Sequence, residues 1–205
     1  MCPRAFYGLC GATILASGQR CGISLLAAPL LTMIVPITDA LEHKPLIPGA
    51  STLMVTMAVG QMLAPLVVSV LERNRTHLRA AALAGLGTAV VIASYGITAL
   101  AFRGTGELVI WGVIGLVFGA LTFGGGASNL GAATDAAEEK DAGAMVATYV
   151  FAISLAAPVG VLLWGLLMSR FSVETAVLTG ATATALVSGL FVRMTGATRR
   201  GQLAP

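Results

Sequence analysis

Long apolar stretches, separated by short polar connections, run along most of the chain. A helix needs about 20 apolar residues to cross the hydrocarbon core of a bilayer. The polar connections hold most of the charged residues and mark the ends of the spans. The pattern predicts an all-α membrane protein of one domain, residues 1–205, whose six transmembrane helices cover about 7–36, 49–71, 78–102, 108–130, 144–168 and 173–194.

Composition supports this prediction and excludes other classes. Of the 205 residues, 57% are hydrophobic and only 10% are charged, and the mean hydropathy is +0.89. A soluble domain would carry about 25% charged residues. Six spans leave no room for a soluble domain, and a formal net charge of +3 gives no support to nucleic-acid binding. We therefore expect membrane lipid as the surrounding medium and no nucleic-acid partner.

Basic residues are divided unequally between the two sides that six spans would create. An even number of spans places both termini on one side, together with the loops after the second and fourth spans. Because Lys and Arg are enriched on the cytoplasmic side, we expect a multi-pass protein of the cell (inner) membrane with both termini cytoplasmic. The termini side would hold Arg4, Arg73, Arg75, Arg79, Lys140, Arg193, Arg199 and Arg200, and the other side Lys44, Arg103 and Arg170.

The N-terminal region 1–19 allows an alternative. Arg4, the apolar run 6–16 and the small residues that follow resemble a secretory signal. Cleavage would place the arginine-rich loop after the second span outside the cell, against the positive-inside rule. We therefore interpret 7–36 as one long, tilted first span.

A weak internal repeat follows from the six-span layout. The second and fifth spans each carry Ala-Pro near the middle, with prolines at Pro65 and Pro158. Each is the second member of a group of three spans, which predicts an inverted 3+3 repeat of the kind found in secondary transporters. Both prolines are candidates for helix bends, although proline is common in membrane helices for other reasons.

Small residues at a spacing of four predict close helix contacts. Gly115 and Gly119 in the fourth span have the GxxxG spacing, and Ala152, Ala156 and Gly160 form a similar strip in the fifth. Small residues let helix backbones approach each other closely in lipid. Such strips serve static packing or a movable interface, and the pattern does not distinguish the two.

Four polar residues within the spans are candidates for substrate binding: Arg20, Gln61, Asn129 and Tyr149. A charge at mid-depth costs about 3 kcal/mol or more, so Arg20 should face a cavity or a partner. If the first span instead begins at Cys21, Arg20 would extend to the membrane boundary. Gln61 would line a cavity or form a hydrogen bond with a neighbouring helix. Asn129 and Tyr149 would bind a substrate or form a structural hydrogen bond of the same kind.

The sequence contains no pattern of a soluble enzyme, such as GxSxG, HExxH or a Walker glycine loop. The cysteines Cys2, Cys10 and Cys21 have no His or carboxylate nearby, so we interpret them as buried apolar thiols. An intramembrane enzyme would need a paired nucleophile, acid or metal ligand within the spans. We expect no enzymatic activity, no cofactor and no metal.

Nearly the whole chain resembles one six-helix half of a major facilitator superfamily transporter. The segment 18–30, with an Arg before a small-residue apolar run, is similar to first helices in that superfamily. Glu72-Arg73 matches the acid-base pair of the family's loop after the second span, and Arg75 supplies a later basic residue, although the family's glycines are absent. The resemblance implies a cytoplasmic gate formed by Glu72, Arg73 and Arg75. Residues 157–160, Ala-Pro-Val-Gly, resemble the Gly-Pro pattern of the family's exporters with Ala157 in place of glycine.

The resemblance implies a secondary transporter that moves a small molecule by alternating access, with efflux as one direction. A carrier of this family places the substrate path between two six-helix halves. The chain would then need a second half or a second copy of itself. The alternative is a non-transporting membrane subunit, or a truncated half, that binds a partner helix through its glycine strips.

Overall fold

The computed structural model describes residues 18–19, 21–23, 25–26, 48–73, 75–101, 106–135 and 141–202, and the regular structure in these residues is helical. The described positions between Gly18 and Leu26 are helical and are called the N-terminal segment below. Arg20 and most of the predicted first span lie outside the described residues. The further helices are α1 (Pro48–Met62), α2 (Ala64–Glu72), α3 (His77–Ala101), α4 (Gly106–Asp135), α5 (Ala142–Arg170) and α6 (Val173–Gln202).

Four of these helices, α3 to α6, are long and apolar enough to cross a membrane. The pair α1 and α2 forms a fifth candidate span, bent by 50° at the break between the two helices. The chain is therefore all-α in the described residues, with four to five helices that could span a bilayer. The sixth span and the inverted 3+3 repeat stay predictions.

The break between α1 and α2 lies within the predicted second span, beside Pro65. Proline has no backbone N–H, so Pro65 cannot donate the helical hydrogen bond to the carbonyl of Gln61. At the break, the N–H of Leu63 donates to the Gly60 carbonyl over 3.0 Å. By contrast, Pro158 lies inside the continuous helix α5. Of the two predicted bend positions, only Pro65 coincides with an interruption of the helix.

Helix α4 packs against α1 with almost no side chain between the two backbones. A Cβ atom on Gly119 would overlap the carbonyl oxygen of Met57, and one on Gly60 would overlap the carbonyl oxygen of Leu116. At Gly115 a Cβ would lie 2.9 Å from the carbonyl oxygen of Leu53. The GxxxG spacing therefore serves an interface within the chain.

Of the four long helices α3 to α6, α3 is the most enclosed, with 56% of its apolar window buried. Small side chains allow this, since Ala80, Ala81 and Ala82 are all fully buried. One turn after Ala81, Gly85 lies against Ser188 of α6 and Ile23 of the N-terminal segment. Helix α3 is thus enclosed by α4, α6 and the N-terminal segment.

Helix α5 is peripheral, because only 17% of its apolar window is buried. Two aromatic side chains attach it to the rest of the bundle. The hydroxyl of Tyr149 donates to the Gly126 carbonyl in α4 over 3.2 Å. Near the other end of α5, the indole N–H of Trp164 donates to the Leu26 carbonyl over 3.1 Å.

Candidate functional site at the ends of three helices

The last residue of α2, the first of α3 and the last of α4 meet at one end of the bundle. His77 Nδ1 lies 2.7 Å from Glu72 Oε1. His77 Nε2 lies 3.3 Å from Asp135 Oδ2. We call these three side chains the His77 bridge. A protonated imidazole donates from both nitrogens, so it can bind both carboxylates at once, whereas a neutral imidazole can donate to only one.

The local sequence makes room for the bridge. A Cβ on Gly131, one turn before the end of α4, would lie 3.3 Å from His77 Nδ1, so the imidazole rests directly against this glycine. Helix α4 continues to Asp135, five residues past the predicted span end at residue 130. The Thr134 hydroxyl donates to the Leu130 carbonyl over 3.1 Å in this last turn. The extension brings the Asp135 carboxylate to His77.

The two carboxylates differ in their environment. The Glu72 side chain is 19% exposed, whereas that of Asp135 is 68% exposed and that of His77 is 40% exposed. An exposed ion pair is worth about 0–1 kcal/mol, because water and salt screen it. The contact between Glu72 and His77 is therefore the stronger part of the bridge, and Asp135 is the weaker part.

Of the three residues predicted to form a gate, only Glu72 takes part in the bridge. Arg73 and Arg75 are exposed, and the ion pairs found among the described residues do not include them. The structure places Glu72 against His77, and the gating roles of Glu72, Arg73 and Arg75 stay predictions. Sequence reasoning missed His77 and Asp135, which are far apart in sequence and belong to no motif.

A second feature of the bundle is a set of buried polar side chains. Gln19 and Asn129 are both 0% exposed, and Ser188 is also 0% exposed. Neither the amide atoms of Gln19 and Asn129 nor the Ser188 hydroxyl has a hydrogen-bond partner among the described residues. Most buried polar groups in proteins are paired, so these three side chains stand out.

The other predicted substrate-binding residues have different surroundings. Tyr149 is buried, and its hydroxyl binds the Gly126 carbonyl as a structural contact between α5 and α4. Gln61 is half-buried at the end of α1, beside the break. Arg20 lies outside the described residues. Among the predicted binding residues that the structure describes, Asn129 alone has a buried polar group with no hydrogen-bond partner in the described part of the chain. Gln19 has similar surroundings, and the sequence analysis did not predict it.

The described part of the chain has no group of three His, Cys, Asp or Glu side chains arranged to hold a metal ion. Comparison of the chain with protein-family models, with curated proteins and with solved structures gives no match.

Proposed function

We propose that the chain is a secondary membrane transporter for a small polar molecule, working by alternating access. The observation that carries this proposal is the amide of Asn129, which is buried and has no hydrogen-bond partner among the residues that the structure describes. An amide buried without a partner costs about 1–3 kcal/mol on the scale of protein mutations. A solute with hydrogen-bonding groups would satisfy the amide and offset that cost.

The broken pair α1 and α2 supports a transporter. Discontinuous membrane helices are frequent at the substrate sites of secondary transporters, because interrupted backbone offers polar groups within the bilayer. The 50° bend here lies next to Pro65. Gln61, at the end of α1, is a half-buried polar side chain beside it.

The His77 bridge is the proposed closure of one side. It joins the ends of three helices through partly exposed side chains, and its contact with Asp135, whose side chain is 68% exposed, is weak enough to break during a transport cycle. By the positive-inside argument this side is cytoplasmic, together with both termini, in the cell membrane. Glu72 would keep its predicted gating role, with His77 as its partner. In a major facilitator arrangement, a second six-helix half or a second copy would complete the substrate path.

Flux measurements on the purified chain test the proposal. The full chain is reconstituted in lipid vesicles, and counterflow is measured for a panel of labelled sugars, amino acids, organic cations and organic anions. We expect flux of one solute class, and at least a 10-fold loss in Asn129→Leu. The matched control Ser69→Ala removes an exposed hydroxyl that bonds only its own helix, through the Leu66 carbonyl, and should leave flux unchanged.

A thermal melt of Asn129→Leu separates a transport role from a structural one. Because the variant removes an unpartnered polar group, it should melt at the same temperature as the wild type or higher. A variant that keeps full flux, or a wild-type chain that moves none of the solutes, contradicts the proposal. Lower stability of the variant would show that Asn129 has a structural partner.

The alternative function is a non-transporting membrane subunit, and the loose packing of α5 favours it. Only 17% of the apolar window of α5 is buried, so most of its surface is open to another helix. The strip of Gly115 and Gly119 is already used by α1, so it does not offer a partner surface. This alternative predicts no flux from the chain alone and a larger mass in mild detergent when it is extracted together with its partner.

A further inference from the structure

A groove lies at the C-terminal end of α5, next to Arg170. It has a volume of about 340 Å³ and is bounded by the N-terminal segment, α5 and α6. Its lining includes Leu26, Trp164, Leu167, Ala183 and, as the one charged side chain, Arg170. The volume is at the lower end of the range for small-molecule sites, about 300–1,000 Å³.

The floor of the groove is held in place by two contacts of Trp164. Trp164 is 1% exposed, and its indole N–H bonds the Leu26 carbonyl over 3.1 Å. The ring lies directly on Gly180, where a Cβ would come within 3.0 Å of Trp164 Cη2. These contacts fix the position of the aromatic ring that forms the floor of the groove.

The walls of the groove open toward the surface that would face lipid. Leu163 and Leu166 line it and are 43% and 63% exposed, and Phe171 is 56% exposed. Large apolar side chains of this exposure are expected where a span meets hydrocarbon. A hydrocarbon chain can therefore enter from the bilayer without crossing a polar layer.

Arg170 gives the groove a charged mouth at the depth of the lipid headgroups. Helix α5 has 29 residues, which at about 1.5 Å per residue is about 43 Å. The hydrocarbon core is only about 30 Å thick, and about 40–45 Å with the headgroup layers. Arg170, the last residue of α5, therefore reaches the headgroups. It is exposed, and the ion pairs found among the described residues leave its guanidinium without a carboxylate.

We infer that this groove binds one phospholipid, with an acyl chain along Trp164 and Leu167 and the phosphate on Arg170. The charge complementarity of guanidinium and phosphate selects this occupant, since arginine binds phosphate with two parallel N–H groups. Basic pockets between membrane helices bind lipid headgroups in the same way. The inference does not depend on transport, because it concerns a different surface from Asn129 and the His77 bridge.

Native mass spectrometry of the full chain, purified in a mild detergent, tests the inference. We expect one phospholipid retained per chain in the wild type. Arg170→Gln should lower that occupancy at least 5-fold, and Arg170→Lys should retain part of it. Ala183→Phe should lower it as well, because the ring would fill the groove.

Two matched controls keep the result specific. Arg193→Gln removes an exposed arginine near the other end of α6, and Leu186→Phe enlarges a side chain of α6 that is 70% exposed and outside the groove. Both should keep the wild-type occupancy, and thermal melts should show that all variants stay folded. Equal occupancy in all variants would overturn the inference. Displacement of the lipid signal by inorganic phosphate alone would identify an anion site instead, and no retained lipid in the wild type would also overturn the inference.

Discussion

Because α1 and α4 are in close contact at Gly119, we expect the substitution Gly119→Ala to lower the thermal stability of the protein. A new Cβ at this position would lie 3.0 Å from the carbonyl carbon of Met57 and 3.1 Å from its Cα, and would overlap the carbonyl oxygen. Optimal carbon–carbon contacts are about 3.5–4.0 Å. Because the opposing atoms are backbone, no side-chain rotation can relieve the overlap, and α1 must move away from α4.

The size of the effect follows from that displacement. The new Cβ would be about 0.5–1 Å closer to Met57 than an optimal carbon–carbon contact, so the two helices must separate by about that distance. A gap of this size removes a quarter to a half of the dispersion energy between the separated surfaces. Overpacking a close-packed site costs about 1–3 kcal/mol. For a protein of this length, about 2–4 °C is lost for each kcal/mol, so Gly119→Ala should lower the melting temperature by about 2–12 °C.

Gly189→Ala is the matched control. It makes the same chemical change within α6, where a Cβ meets nothing within 4 Å among the described residues. Replacing glycine by alanine in a helix interior stabilises by about 0.5–1 kcal/mol when there is space. Thermal unfolding of both variants in one detergent, followed by circular dichroism, compares them directly. If Gly119→Ala melts as high as Gly189→Ala, the backbones of α1 and α4 are not in contact and the packing argument is wrong.

Three further substitutions address the other contacts. Tyr149→Phe removes the hydrogen bond to the Gly126 carbonyl and should cost about 1 kcal/mol in thermal unfolding; an unchanged melt would show that the hydroxyl does not hold α5. His77→Ala removes the imidazole that lies between Glu72 and Asp135 and should cost about 1–3 kcal/mol, because the buried Glu72 Oε1 loses its neighbour, while changing flux in vesicles; a loss of stability with unchanged flux would make the bridge purely structural. Pro65→Ala restores a backbone N–H and should reduce the bend between α1 and α2, measured as a longer spin-label distance across the break; an unchanged distance would assign the bend to packing.

The approximate extents of the helices could be predicted from the sequence. The predicted span 78–102 and helix α3, His77–Ala101, differ by one residue at each end. A membrane-crossing helix satisfies its own backbone hydrogen bonds and contacts lipid directly, so its extent depends on local hydropathy. The polar ends of the helices depend less on local hydropathy. Helix α4 accordingly continues to Asp135, whereas residue 130 was the predicted end.

The partners of individual side chains could not be predicted in this way. The GxxxG spacing indicated that a helix would approach Gly119, but not that the helix would be α1. Glu72, Arg73 and Arg75 were predicted together as a gate, and only the structure shows that Glu72 lies against His77. From the sequence, Asn129 and Tyr149 were both polar residues within spans and could not be ranked. The structure distinguishes them, because the Asn129 amide has no hydrogen-bond partner among the described residues and the Tyr149 hydroxyl donates to the Gly126 carbonyl.

The sequence by itself therefore determined that the protein is helical, that it has long apolar helices of membrane-crossing length, and approximately where most of those helices begin and end. The tertiary structure decided which glycines are in contact, which end of the bundle brings Glu72, His77 and Asp135 together, and where Arg170 stands above an apolar groove. The physical reason is that transfer into lipid acts on each segment separately, whereas packing and ion pairs join residues that the chain brings together only when the helices assemble.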